Sequence, residues 1–229
     1  MLLVYEDMPL SEVVEENVEL IPVLERFGIT LGLSDRTAGQ ICVMKGIDAG
    51  FFLSVVNNFL NPDYFPEKQL KTSGIGVIAD YLLRTEKYYM EYQLPNIEAH
   101  LGRLINGCPS SQALGLLRIL LSSFRESLSR AVEYDTREWL PYCASLSAGG
   151  KSNVADAPRY DDSAYVEGIN ILHEMKGVMV RHLSGDYDRN LCYAVIFSIS
   201  SMEKDISMHH RIRNRILYPL VASLTDKRG

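Results

Sequence analysis

The chain has 229 residues, 47% hydrophobic residues and a net charge of −6, which is the composition of an ordinary globular protein. Its acidic balance argues against a broad surface that binds phosphate groups. No stretch approaches the ~18 apolar residues that span a bilayer, and the first ten residues carry acids where a secretory signal has a basic head. We therefore predict a cytoplasmic protein with no membrane association.

The first predicted helix begins after Ser11, continues to about Phe27 and ends at Gly28, because apolar residues recur at helical spacing between these positions. Ser34 or Asp35 is predicted to cap a second helix.

Gly46 is predicted to end the second helix, and Asp48 to cap a third that continues to about residue 59. We interpret residues 1–62 as a small helical domain with three helices. The segment 63–73 follows a break rich in proline and is predicted to be a linker.

A second interpretation of residues 36–60 is a helix-turn-helix, because two short helices flank Gly46. Arg36 and Lys45 could then contact phosphate. A recognition helix normally lies in a basic surface, whereas this segment lies in the acidic part of the chain. DNA binding through this chain alone is therefore the less favoured interpretation.

The rest of the chain is predicted to form an up-down four-helix bundle over residues 74–229. Apolar residues recur every three or four positions over long stretches, which is typical of amphipathic helices. Short connections make consecutive helices antiparallel. The predicted helices cover residues 74–107, 111–144, 160–183 and 187–224, and a longer connection covers 147–158.

The last of these helices carries a stripe at alternating steps of four and three residues, which places its members on one face. His209 and Arg213 interrupt this otherwise apolar stripe, so we predict polar side chains inside the bundle. A histidine and a charged residue four positions apart on an inner face are typical of metal sites between helices. The stripe consists of Val195, Ile199, Met202, Ile206, His209, Arg213, Ile216 and Leu220.

The segment from Asp205 to Pro219 resembles the last-helix motif of hemerythrin-like di-iron proteins, especially those that repair iron-sulfur clusters. Two further motifs, Gln93-Leu94-Pro95 and Trp139-Leu140-Pro141, look like parts of the first two bundle helices of that group. The resemblance implies a small N-terminal domain followed by a hemerythrin-like bundle. It extends to Phe27-Gly28-Ile29, Thr37-Ala38-Gly39-Gln40-Ile41-Cys42 and Gly46-Ile47-Asp48 of the small domain.

The resemblance also implies where the iron ligands of the family fall on this chain. They correspond to Lys87, Ala131, Asp135, Tyr165, His209 and Arg213, of which only His209 and Asp135 keep a suitable residue type. The paired cysteines of the small domain are replaced by Gly32 and Leu33. A guanidinium in place of a bridging carboxylate disfavours iron, so we predict no metal and no cofactor.

Residue counts along the helices indicate that these positions lie at one level. Lys87 and Ala131 each lie 22 residues from Pro109, and Tyr165 and His209 each lie 22 residues from Tyr187. The predicted polar core cluster consists of Lys87, Asp135, Tyr165, His209 and Arg213. We interpret it as a structural network in which Arg213 pairs with Asp135. A small anion at Lys87 and Arg213, or a retained metal, are the alternatives.

The function that we predict is a non-catalytic regulatory or sensory protein whose bundle binds a protein partner or a small ligand. Some proteins of this divergent kind carry a LuxR-type DNA-binding segment after the bundle and look like transcription regulators. The alternative is a di-iron protein in iron-sulfur cluster repair or in oxygen or nitric oxide sensing. The four cysteines form no Cys-x-x-Cys pair, so we predict buried free thiols at Cys42, Cys108, Cys143 and Cys192.

Overall fold

The structure is a computed structural model that describes residues 3–109, 111–147 and 157–226. Within these ranges every named element of secondary structure is a helix, which confirms the predicted all-α class. None of the described helices is both long enough and apolar enough to cross a lipid bilayer. Most of the predicted connection 147–158 lies outside the described residues.

The N-terminal part of the chain contains more and shorter helices than predicted. The predicted helix from Ser11 to Phe27 is wrong, because it is broken before Pro22, which lacks an N–H group and whose ring excludes the carbonyl group of Val18. The helices here are α1 (Leu10–Glu16), a 3₁₀ segment (Val18–Leu20), α2 (Ile21–Arg26), α3 (Ala38–Lys45), α4 (Ala49–Leu60) and α5 (Glu67–Thr72), the last of which lies in the predicted linker.

The boundaries of α3 and α4 follow their capping residues. Thr37, rather than Ser34 or Asp35, caps α3, because its hydroxyl accepts the Gln40 N–H at 3.2 Å while the Gln40 side chain accepts the Thr37 N–H. Gly46 ends α3 with a φ of 66°, a conformation that favours glycine. Asp48 caps α4 as predicted, with its Oδ1 accepting the Phe51 N–H at 2.6 Å.

Four long helical segments follow, close to the predicted ranges. Three of them contain a five-residue π-helical segment. The order is α6 (Ile75–Tyr88), π (Tyr89–Gln93), α7 (Leu94–Gly107), α8 (Gln112–Tyr134), π (Asp135–Trp139), α9 (Leu140–Ser147), α10 (Ser163–His182), α11 (Arg189–Ile212), π (Arg213–Leu217) and α12 (Tyr218–Asp226).

Each π segment is followed, two residues later, by a proline: Pro95, Pro141 or Pro219. A proline inside a helix removes one N–H group, and its ring clashes with the carbonyl group four residues earlier. That carbonyl lies in the middle of the π segment in all three cases. Widening the turn to the π form accommodates the clash, and it adds one residue to the helix at that point.

The chain divides into two compact units whose boundaries differ from the predicted domain boundaries. The N-terminal unit comprises Met1–Arg84, Tyr142–Ala157 and Arg211–Gly229, and the central unit comprises Thr85–Pro141 and Pro158–His210. The long helices α6 and α11 therefore each continue from one unit into the other. The predicted boundary at the proline-rich break divides the sequence into consecutive segments, whereas each compact unit combines segments that are distant in sequence.

Each unit has its own apolar core. In the N-terminal unit, Phe27 packs against Phe52 and Tyr81, with ring centroids 5.1 Å and 5.0 Å apart. In the central unit, α7, α8, α10 and α11 share one core. Its fully buried members include Leu101, Leu117, Phe124, Leu172, Met175, Val195, Ile199, Met202 and Ile206.

Candidate functional site

Four ionisable side chains meet inside the central unit, and we call them the polar cluster: Glu86, Asp135, Tyr165 and His209. Each is 0–1% exposed to solvent. They come from four different elements, namely α6, the second π segment, α10 and α11. Burial of ionisable groups is costly unless each is hydrogen-bonded or paired, so the contacts among them decide what the cluster can do.

The hydroxyl group of Tyr165 lies between two carboxyl groups. It is 2.7 Å from Glu86 Oε1 and 3.1 Å from Asp135 Oδ2, both hydrogen-bond distances. Tyr165 thus connects α10 to both α6 and the second π segment at a fully buried point.

The imidazole of His209 lies beside the same carboxyl group. Its Nε2 is 3.4 Å from Glu86 Oε1, an ion-pair distance when the ring is protonated. The ring is flanked by Tyr165 and Tyr89, with centroids 5.0 Å and 5.8 Å away. These rings shield the Glu86–His209 contact from water, which strengthens an electrostatic interaction.

The predicted inner stripe of the last long helix is confirmed from Val195 to Ile216, because all seven members up to that residue are buried, while Leu220 is half-buried. Arg213 is fully buried, one turn after His209 and at the start of the third π segment. Arg213 belongs to the N-terminal unit, whereas Asp135 belongs to the central unit. The predicted pairing of the two residues therefore stays a prediction.

Lys87 is the predicted cluster residue that the structure places at the surface rather than in the interior. Its side chain is 69% exposed, and its Nζ lies 3.8 Å from Glu91 Oε1, whereas the preceding residue, Glu86, is fully buried. The reason is the first π segment, which lies between Lys87 and Pro109, the two residues between which the positions were counted. The extra residue rotates the upstream helix by about 100°, so the inward position falls one residue earlier.

The core residues show this shift directly. Tyr89 and Leu94 are five positions apart, and both lie in the central core, whereas a regular helix returns to the same face after three or four. Pro95 was the signal in the sequence that could have located Glu86. The counts to Tyr165 and His209 cross no π segment, and both residues lie in the cluster. Asp135, at the start of the second π segment, lies there as well.

The other predicted candidates lie outside the cluster. His173 and His182 are exposed, and His100 is half-buried. All four cysteines are thiols, with Cys42, Cys143 and Cys192 buried and Cys108 half-buried. Burial, together with Glu6 and Asp48, raises the pKa of the Cys42 thiol to about 11, and burial also raises the pKa of the Cys192 thiol. Neither thiol is activated as a nucleophile.

The donor set of the cluster does not fit the di-iron centre that the resemblance implies. Such a centre needs several imidazoles and two bridging carboxylates. Of the five histidines, His209 alone is fully buried, and both carboxyl groups lie within hydrogen-bond distance of Tyr165. Across residues 3–109, 111–147 and 157–226, no three His, Cys, Asp or Glu are grouped so that they could hold a metal ion.

Comparison of the chain with models of protein families gives no match, and comparison with characterised proteins gives none either. The resemblance to hemerythrin-like proteins therefore stays a prediction that depends on the motifs quoted above.

Proposed function

We propose that this chain is a non-catalytic regulatory or sensory protein built on a hemerythrin-like, up-down four-helix bundle. In this proposal the polar cluster occupies the place of the di-iron centre and holds the helices together. Regulation would then depend on binding a protein partner or a small ligand at the surface, as in transcription regulators of the divergent hemerythrin-like kind.

The observation that carries the proposal is the position of the Tyr165 hydroxyl between Glu86 and Asp135. In a di-iron centre, metal ions connect the carboxylates of facing helices. Here a phenol hydroxyl lies within hydrogen-bond distance of both carboxyl groups, at no more than 1% exposure. A group this deeply buried supports a structural role better than a role in which a substrate must reach it.

The alternative of a small anion bound by Lys87 and Arg213 loses one of its two cations, because Lys87 points to solvent. Catalysis or oxygen sensing by a di-iron centre is less well supported, because only one of the residues that match the family's histidine ligands is a histidine. DNA binding through residues 36–60 is also less well supported, since exposed acids such as Glu6 and Asp7 lie close to that segment.

The test is the metal content of full-length protein produced with excess iron, measured by elemental analysis and by optical absorption. We expect well under one iron per chain and no absorption band of an oxo-bridged pair. An iron-loaded hemerythrin-like protein prepared in parallel is the control for the loading procedure. Two irons per chain with that band would overturn the proposal and favour the di-iron alternative.

A further inference from the structure

The third helix of the N-terminal unit exposes apolar side chains that its own unit does not cover. Val43 is 84% exposed and Met44 is 64% exposed, both on α3, and nearby Leu31 is 62% exposed. Single exposed apolar residues are common, but a group of large ones beside grooves is typical of an interaction surface.

Two grooves border this helix. The larger, of about 870 Å³, is lined by Glu6, Asp7, Cys42 and Val43, among others. The smaller, of about 240 Å³, is lined by Leu31 and Lys45, among others. Arg36 and Met44 line both grooves, so they form a ridge between them. We call the ridge and its two grooves the α3 surface.

The two sides of the α3 surface differ in charge. Apart from Arg36 on the ridge, the charged residues of the larger groove are Glu6 and Asp7. Apart from the same Arg36, the charged residue of the smaller groove is Lys45. Glu6 and Asp48 also raise the pKa of the Cys42 thiol in the larger groove, which is the effect of nearby negative charge.

Backbone hydrogen bonds to α3 fix the segment that carries Glu6 and Asp7. The N–H groups of Ala38 and Gly39 donate to the carbonyl groups of Met8 and Glu6, both at 2.9 Å. Gly39 permits this close approach, since a Cβ atom there would lie 3.1 Å from the Glu6 carbonyl oxygen. The surface is therefore formed before any partner binds, which lowers the entropic cost of association.

We propose that the α3 surface is the interface of a homodimer. An interface with two-fold symmetry must be complementary to itself, because the same patch is present on both chains. A two-fold axis that runs along the ridge and passes near Met44 brings the Met44 side chains of the two copies together, with Val43 of each copy beside them on the side of its larger groove. The same axis places the acidic side of one copy against the basic side of the other.

This inference is independent of the proposed function, since it uses only residues of the N-terminal unit. Because the large exposed apolar side chains of this surface are few, namely Val43, Met44 and Leu31, we expect a reversible dimer rather than a permanent one. Charged residues at the sides of the interface set its register more than its strength.

The first test is sedimentation velocity of the full chain over a wide range of concentrations. We expect a reversible monomer–dimer equilibrium, with a dissociation constant that Val43→Glu raises by about tenfold or more. Val180→Glu is the matched control, because Val180 is 70% exposed on α10 in the central unit. A monomer at every concentration, or an equal effect of both variants, would overturn the proposal.

The second test uses the charges. A chain with Arg36→Glu and Lys45→Glu has an acidic α3 surface on both sides, and a chain with Glu6→Lys and Asp7→Lys has a basic one. Each variant alone is expected to associate at least about tenfold more weakly than the natural chain. Mixing them should restore association as a heterodimer. Failure to form a heterodimer while the natural chain dimerises would exclude the arrangement, and circular dichroism confirms that each variant is folded.

Discussion

The α3 surface of the N-terminal unit and the polar cluster of the central unit reverse the usual distribution of side chains. The α3 surface exposes Val43 and Met44, while the cluster buries Glu86 and His209 completely. Both arrangements cost free energy of folding unless something compensates them. Within its own unit the cluster has the contacts of the Tyr165 hydroxyl group and the rings around His209, whereas in our proposal a second chain covers the α3 surface. From this comparison we expect substitutions in the cluster to change stability and substitutions on the α3 surface to change association.

The largest effect on stability is expected at the buried carboxyl group of Glu86. Glu86→Ala should lower the free energy of unfolding by about 3–5 kcal/mol, because His209 and Tyr165 lose a buried partner. Lys87→Ala, one residue later and exposed, should change it by less than about 0.5 kcal/mol. Urea unfolding followed by circular dichroism measures both. Equal effects would contradict the register shift that we attribute to the first π segment.

Two adjacent asparagines in the N-terminal unit test whether a buried polar side chain stabilises the fold only when it is hydrogen-bonded. The buried Asn57 side chain accepts the Val4 N–H at 2.6 Å and donates to the Val4 carbonyl at 2.8 Å. Asn58 is equally buried, and its amide has no hydrogen-bond partner within the described residues.

We therefore expect opposite results from the same substitution at these two positions. Asn57→Leu should cost about 2–3 kcal/mol, since two backbone groups of Val4 lose their partner. Asn58→Leu should be neutral or should stabilise the protein by up to about 1 kcal/mol. Thermal unfolding of the two variants decides the point, and a comparable loss in both would show that hydrogen bonding is not the difference.

A smaller effect is expected from the hydroxyl group of Tyr165. Tyr165→Phe keeps the ring against His209 but removes the contacts with Glu86 and Asp135, which should cost about 1–2 kcal/mol. Tyr193→Phe is the control, because Tyr193 is an exposed tyrosine of the same unit. If the two variants had the same midpoint in urea, the hydroxyl would not connect the helices as we describe.

The smallest effect is on chemistry rather than on stability. The pKa of the Cys42 thiol is about 11, so this thiol is almost fully protonated at neutral pH and should react slowly with iodoacetamide. Its rate should rise about tenfold per pH unit between about pH 8 and pH 10, because the thiolate is the reactive form. Half-buried Cys108 should be labelled first at neutral pH. Mass spectrometry of labelled peptides measures both rates, and preferential labelling of Cys42 would contradict its burial.

Helical periodicity predicted the all-α class and the approximate ranges of the long helices. It also predicted that His209 and Arg213 are buried. These properties are local, because an amphipathic helix must turn its apolar face toward a core wherever that core lies. Caps were predicted less well. Asp48 caps α4 as expected, but Thr37 replaces Ser34 or Asp35 at α3, because only Thr37 is followed three residues later by a glutamine that completes a capping box.

The error at Lys87 has a different origin. A count along a helix assumes that each residue rotates the chain by the same angle, and one π segment between Pro109 and the site breaks that assumption. The proline after each π segment was visible in the sequence, but whether a helix kinks, ends or widens at a proline depends on what packs around it.

The sequence by itself determined that the chain forms amphipathic helices and that the last of them carries a histidine and an arginine on its inner face. Only the tertiary structure decided that Glu86 rather than Lys87 faces inward and that Tyr165 lies between two carboxyl groups. It also decided that α6 and α11 each contribute to two compact units. The physical reason is that periodicity is set by the backbone of one helix, whereas the partners of a buried side chain are set by neighbouring helices that are distant in sequence.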